Sequence, residues 1–157
     1  MSVKKIAIIA NGKHKKALKL KEKLGLLLPE NYTIIEKRTE RKGHATELAF
    51  NAINENADII IAAGGDGTMN EVVNGVMQIQ KEQRNKVVVG LFPLGTGNDF
   101  ARTAKLAKSV NELAMSIKKG EYRQIDIGCV EFDNEKSEKK QRYFNNIAEV
   151  GVGAKNR

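Results

Sequence analysis

Three short apolar runs, each closed by glycine or proline, restrict the fold of this chain more than any other feature. Residues 6–10 end at Asn11-Gly12, residues 59–63 end at Gly64-Gly65, and residues 87–92 end at Pro93. Runs this short, rich in Ile and Val and without polar alternation, are the pattern of parallel strands covered by helices on both faces. Residues 32–38 read as a more polar strand, suited to a sheet edge. Between the strands the period changes to about 3.6. Ala45, Leu48, Ala49, Ala52 and Ile53 make one amphipathic helix, and Met69, Val72, Val73, Val76 and Met77 make another. Ser109 with Glu112 forms a capping-box signature ahead of Val110, Leu113, Ala114 and Ile117, and Gly120 stands where that helix would stop. Strand and helix therefore alternate to about residue 120. The fold class expected is α/β: three α/β/α layers around a mostly parallel sheet, with right-handed crossovers and ligand sites at the carboxyl ends of the strands.

Beyond Gly120 the character changes. Residues 122–132 and 142–150 read as two strands separated by the polar stretch 133–141, a β-hairpin. An isolated hairpin is marginally stable, so the expectation is an α/β domain over 1–121 followed, over 122–157, by the start of an incomplete β-rich domain. Unpaired strand edges there would invite self-association, which puts a homo-oligomer among the expected assemblies. No apolar run approaches the roughly 18 residues of a membrane span, and the N-terminus lacks a signal-peptide pattern, so a cytoplasmic protein is expected. Cys129 is the single cysteine, and with His14 and His44 as the histidines there is no zinc-ligand spacing.

The net charge of +8 calls for an anionic partner: a nucleotide, a nucleic acid or an acidic membrane surface. Lys13, Lys15, Lys16, Lys19, Lys21 and Lys23 carry much of the excess, interleaved with Ala17, Leu20, Leu24 and Leu27 at helical spacing that would face the core. Those lysines are read as a solvated helix face or as a patch facing phosphate or the inner face of the membrane. Nucleic-acid binding is not expected, since tryptophan is absent and the aromatics do not interleave with the basic run.

Three loops follow the three strand candidates. Asn11-Gly12-Lys13, read alone, is an ordinary strand-to-helix turn. Gly64-Gly65-Asp66-Gly67-Thr68 opens the helix containing Met69, Asn70 and Glu71, and its glycines would let the backbone approach a polyphosphate at a helix N-terminus. A glycine-rich structural turn would not need Asp66. A carboxylate beside a phosphate is repelled unless it binds a magnesium ion or accepts a proton from the attacking hydroxyl. The third loop, 93–102, again passes through glycines, Gly95 and Gly97, into a helix capped by Asn98 or Asp99. Two such loops at neighbouring strand ends make a cradle for a nucleoside triphosphate.

Gly-Gly-Asp-Gly-Thr-Met-Asn-Glu-Val-Val-Asn-Gly at 64–75 and Pro-Leu-Gly-Thr-Gly-Asn-Asp-Phe-Ala-Arg at 93–102 resemble the paired signatures of the diacylglycerol kinase catalytic domain family. Asn11-Gly12-Lys13, Thr39 with Gly43, and residues 125–128 sit where that family has smaller motifs. The resemblance implies transfer of the ATP γ-phosphoryl group to a lipid hydroxyl, with Mg2+ neutralising the phosphates. It implies a nucleotide site formed by Asn11, Thr39, Gly64, Gly65, Asp66, Gly67, Thr68, Met69, Asn70, Glu71, Gly95, Thr96 and Asn98. Asp66 is then catalytic or the anchor of the metal, and Asp126 matches an aspartate at the domain junction; read as a residue alone, Asp126 is equally a polar position on a half-exposed strand. Family members continue into a β-rich domain that holds much of the acceptor site, so the chain as given is expected to bind nucleotide yet phosphorylate no lipid alone. A Gly-Gly-Asp-Gly core also occurs in NAD kinases and phosphofructokinases. A kinase of NAD or another soluble alcohol, and a non-catalytic nucleotide-binding module, therefore stand as alternatives.

Overall fold

The structure, a computed structural model, describes residues 2–145. Four parallel strands, β1 (Lys4–Asn11), β2 (Tyr32–Thr39), β3 (Ile59–Gly64) and β4 (Val88–Pro93), form a sheet in the order β2-β1-β3-β4. The polar strand lies at an edge, and the two most apolar runs lie at the centre, where helices cover both faces.

Strand pleating divides the central side chains between two cores. On one face Ala7, Ile9, Ile60 and Ala62 pack with α2 (His44–Asn54) and α3 (Asp66–Met77). On the other, Ile6, Ile8, Ile61 and Ala63 pack with α1 (Leu20–Leu27) and α6 (Val110–Lys119). Ile6, Ile8, Ile9, Ile60 and Ile61 are wholly buried. Each side chain of that size contributes about 1.5–3 kcal/mol by leaving water. Close approach of α2 and α3 rests on small residues: a Cβ on Gly75 would strike the Thr46 carbonyl and lie 2.9 Å from the Ala49 Cβ.

Local signals are realised closely in α6. The Ser109 side chain accepts from the Glu112 N–H at 3.2 Å, and Glu112 in turn accepts from the Lys108 N–H at 2.8 Å. Gly120 closes the helix in the left-handed region at φ +66. Elsewhere the structure departs from the sequence reading. A 3-10 turn at Ala17–Lys19 precedes α1, and Leu28 rather than Leu27 is buried. The helix ends at Leu27, and Leu28 turns extended (ψ 145), which swings its side chain back under the sheet. A short helix, α4 (Lys81–Arg84), occupies the connection between α3 and β4 without an amphipathic pattern to announce it.

The hairpin forms with tighter limits than expected. It comprises β5 (Gly128–Asp133) and β6 (Lys139–Phe144), paired antiparallel. Residues 122–127 are not strand, and the expected continuation over 146–150 lies outside the described residues. Asp133 and residues 139–141, read as linker, are paired. Asn134 shortens the turn because its Oδ1 accepts from the N–H groups of Lys136 and Glu138 at 3.0 and 2.9 Å. Most of the hairpin is exposed, so alternation could not mark its ends. Phe144 lies opposite Gly128, its ring filling the space that a Cβ there would take.

Candidate functional site

Because the four strands are parallel, their carboxyl ends meet along one edge: Asn11, Thr39, Gly64 and Pro93. Asn11 lies opposite Thr39 in the ladder, and the Thr39 hydroxyl accepts from the Gly12 N–H at 3.3 Å. A Cβ on Gly12 would come within 2.5 Å of the Thr39 carbonyl oxygen, so this turn needs glycine. Across β1 and β3, the Asn11 amide donates to the Thr68 hydroxyl at 3.4 Å. Thr68 is buried, its side chain lying over Gly64 where a Cβ would be.

The second and third loops touch. A Cβ on Gly95 would lie 2.7 Å from the Gly65 Cα, and one on Gly65 would lie 3.2 Å from the Gly95 Cα. A side chain at Gly95 would force the loops apart, and one at Gly65 would be tightly crowded. Above the contact is the N-terminus of α3, whose N-cap is Gly65 and which no side chain caps among the described residues. Its first helical bond runs from the Met69 N–H to the Gly65 carbonyl, leaving the first-turn amides turned toward the loops. This is the geometry that receives an anion.

Asp66 bridges the loops. Its two carboxylate oxygens accept from the N–H groups of Asp99 (3.1 Å) and Phe100 (3.2 Å), at the start of α5 (Asp99–Thr103). The sequence suggested that Asn98 or Asp99 would cap α5. Asn98 does occupy the N-cap position, but at φ 51 its amide donates to the Gly95 carbonyl at 2.6 Å, and the capping oxygens come from Asp66. The Asn98 Oδ1 is left buried without a partner in the cradle wall. Asp99 pairs with Arg102. Gly97 lies between the two acids: a Cβ on it would lie 3.5 Å from Asp66 Oδ2 and 3.7 Å from Asp99 Oδ2.

The diacylglycerol kinase catalytic domain model matches residues 5–130, which takes in the carboxyl ends of the four parallel strands, both glycine loops and the start of β5. The chain belongs to that family. A diacylglycerol kinase of Staphylococcus aureus is 36% identical over 151 residues, covering 94% of this chain and 44% of the relative. One from Staphylococcus saprophyticus is 38% identical over 113 residues, covering 72% of this chain and 33% of the relative. The chain thus spans less than half the length of either relative. A crystal structure of a diacylglycerol kinase from Bacillus anthracis superposes with a TM-score of 0.57 at 25% identity, over 82% of this chain and 44% of that one. The three-layer core is the shared part.

Within this member of the diacylglycerol kinase family, the tertiary structure brings Asn11, Thr39, Gly64, Gly65, Asp66, Gly67, Thr68, Gly95 and Asn98 to one edge of the sheet, with Thr96 exposed beside them. Met69 is turned into the core, 2% exposed. Glu71 reaches away from the cradle: its carboxylate accepts from the Gly43 N–H (2.9 Å) and the Ala45 N–H (3.2 Å), and its carbonyl accepts from the Thr46 hydroxyl (2.9 Å). It thereby caps α2, whose N-cap Gly43 is left-handed at φ +81 and has no side chain to offer. Asn70 reaches the hairpin, donating to the Tyr143 carbonyl at 3.1 Å. Asp126 is exposed on the irregular segment before β5, next to Ile127, which packs on the α2/α3 core. Sequence reasoning overlooked Asn74, which also holds Tyr143; its spacing of four from Asn70 on one helix face was the available signal.

Proposed function

We propose that this chain is the ATP-binding part of a lipid kinase that transfers the γ-phosphoryl group of ATP to a lipid hydroxyl, diacylglycerol being the first acceptor to test. The observation that carries the reading is the contact of Gly65 with Gly95 beneath the uncapped N-terminus of α3. A polyphosphate laid across that contact meets helix-start amides without a Cβ in the way. Thr68 and Asn11 support the floor, Thr96 and Asn98 the rim. The loops are held in mutual register by Asp66, which keeps lone pairs beyond the two N–H groups it already accepts.

Among the described residues no three His, Cys, Asp or Glu side chains are grouped to hold a metal. The acids at the cradle are Asp66 and Asp99, and one or two carboxylates plus substrate phosphates are the usual setting for Mg2+. These residues therefore fit a cation that arrives with the nucleotide, and when bound it supplies charge neutralisation during transfer. The acceptor hydroxyl must approach in line, and the hairpin that begins after residue 127 is the side from which this reading brings it. No described helix is long and apolar enough to cross a membrane. The exposed lysines from Lys13 to Lys23 give the chain a basic face suited to peripheral contact with anionic lipid.

The test is transfer of radiolabelled γ-phosphate from ATP to diacylglycerol in mixed micelles by the full-length gene product, beside calorimetric titration of this chain with Mg-ATP. Labelled phosphatidic acid, with Mg-ATP affinity weakened by Thr96→Val, is the expected result. Label found on a soluble alcohol or on NAD, and on no lipid, would overturn the reading.

A further inference from the structure

We propose that Asn70 and Asn74 are positioning residues: together they latch strand β6 onto α3 and so set the distance between the phosphate cradle and the acceptor side of the protein, the functional half of this inference resting on the lipid-kinase reading. In an antiparallel ladder, alternate residues turn their N–H and C=O away from the partner strand. At Tyr143, opposite Cys129, both groups are taken by a side chain of α3. The Asn74 Nδ2 donates to the Tyr143 carbonyl at 2.8 Å, and the Tyr143 N–H donates to Asn74 Oδ1 at 3.0 Å. A side-chain amide carries the same donor and acceptor as a peptide unit, so Asn74 completes at this residue the pairing that a further strand would provide.

Asn70 strengthens the arrangement in three ways. Its Nδ2 gives the Tyr143 carbonyl a second donor at 3.1 Å, its Oδ1 accepts from the Arg142 guanidinium at 3.3 Å, and its backbone carbonyl accepts from Asn74 Nδ2 at 2.8 Å. Asparagine is a poor helix former, and two of them one turn apart inside α3 are explained by this use of their side chains. Tyr143 and Ile127 pack against the α2/α3 core, so the latch sits over an apolar contact.

The consequence follows from the axis of α3. Its first turn is the cradle, and its second and third turns carry the latch. At 1.5 Å of rise per residue, Asn70 lies about 6 Å and Asn74 about 12 Å along the helix from Asp66. A single rigid element thus connects the nucleotide loops to β6. Loosening the latch displaces the hairpin without altering the cradle, and misplacement of a reacting group by about 1 Å can cost on the order of 100-fold in rate.

Three variants test this: Asn74→Leu, Asn74→Asp, which keeps an acceptor for the Tyr143 N–H, and Asn70→Leu. In Asn74→Leu, hydrogen exchange at the Tyr143 amide is expected to accelerate at least about tenfold, with amides of β3 unchanged as evidence that the fold is intact. Mg-ATP affinity should stay within about twofold, while kcat for lipid phosphorylation by the full-length gene product falls roughly 10- to 100-fold. Asn74→Asp should retain part of the Tyr143 protection. Asn70→Leu should have the smaller effect, because only one of its bonds reaches Tyr143. Persistent protection of Tyr143 in the Asn70→Leu/Asn74→Leu double variant would overturn the latch. Loss of turnover matched by equal loss of ATP affinity in Asn74→Leu would overturn its positioning role. If the unaltered protein transfers no phosphate to lipid, the kinase reading fails, and the exchange measurement still decides the latch.

Discussion

Gly67→Ala separates a phosphate cradle from a glycine-rich turn, because the two accounts give opposite signs. Gly67 is the second residue of α3, does not have a positive φ, and a Cβ built on it has no neighbour within 4 Å. On folding grounds alone alanine is the better residue there. It removes unfolded-state freedom worth about 0.4–1 kcal/mol. For a domain of this size that corresponds to a rise in Tm of roughly 1–4 °C. If a phosphate rests on the first turn of α3, the added methyl occupies the space through which it approaches. A loss of about 1.4 kcal/mol, the equivalent of tenfold in Kd, is then the least expected. Scanning calorimetry without nucleotide and isothermal titration with Mg-ATP on the same preparation give both numbers. The expected result is a more stable protein that binds ATP at least about tenfold more weakly. Gly95→Ala is the control with the other pattern, since its methyl would lie 2.7 Å from the Gly65 Cα. Overpacking of this kind costs about 1–3 kcal/mol, so both stability and affinity should fall. An unchanged Kd in Gly67→Ala would refute the placement of the phosphates on α3.

Three further outcomes follow from contacts that join distant parts of the chain. Asp66→Asn replaces an acceptor oxygen with an N–H donor facing the amides of Asp99 and Phe100, so it should lower the Tm of this chain by several degrees and, in the full-length gene product, abolish the proposed phosphoryl transfer; near-normal turnover there would remove Asp66 from the chemistry. Glu71→Ala strips the cap from α2 and should cost about 0.5–2 kcal/mol in urea unfolding with little change in Mg-ATP affinity. Lys37, through its hydrogen bond at 2.8 Å, holds the Glu55 carboxyl below the usual carboxylate range. The folded-state value lies below the unfolded one, so this pair stabilises above the unfolded value and loses its contribution as pH falls through the folded value. Comparing Tm of the unaltered protein and Glu55→Gln from pH 7 to pH 3 should show the difference shrinking on acidification and in high salt.

What the sequence by itself determined is what depends on neighbours along the chain. Apolar runs at 6–10 and 59–63, unbroken by polar residues, could be satisfied only at the centre of a sheet covered on both faces, and the polar run at 32–38 only at its edge. Ser109 with Glu112 and the terminal Gly120 defined α6, because capping is a matter of a few residues. The two glycine loops marked the cradle, since strand ends followed by helix starts are local features and parallel strands align them. Tertiary structure decided what each polar side chain at that edge holds. Asp66 reaches 33 and 34 residues along the chain to Asp99 and Phe100, Glu71 reaches back 28 and 26 to Gly43 and Ala45, and Asn74 reaches 69 to Tyr143. Asp66, Asn70 and Glu71 read in sequence as part of a nucleotide-binding set, and Asn74 carried no reading of its own. In the fold, Asp66, Glu71, Asn70 and Asn74 satisfy backbone groups of α5, α2 and β6, because N–H and C=O groups at helix starts and on the outer edge of a strand lack partners within their own element and α3 is the element that passes all three.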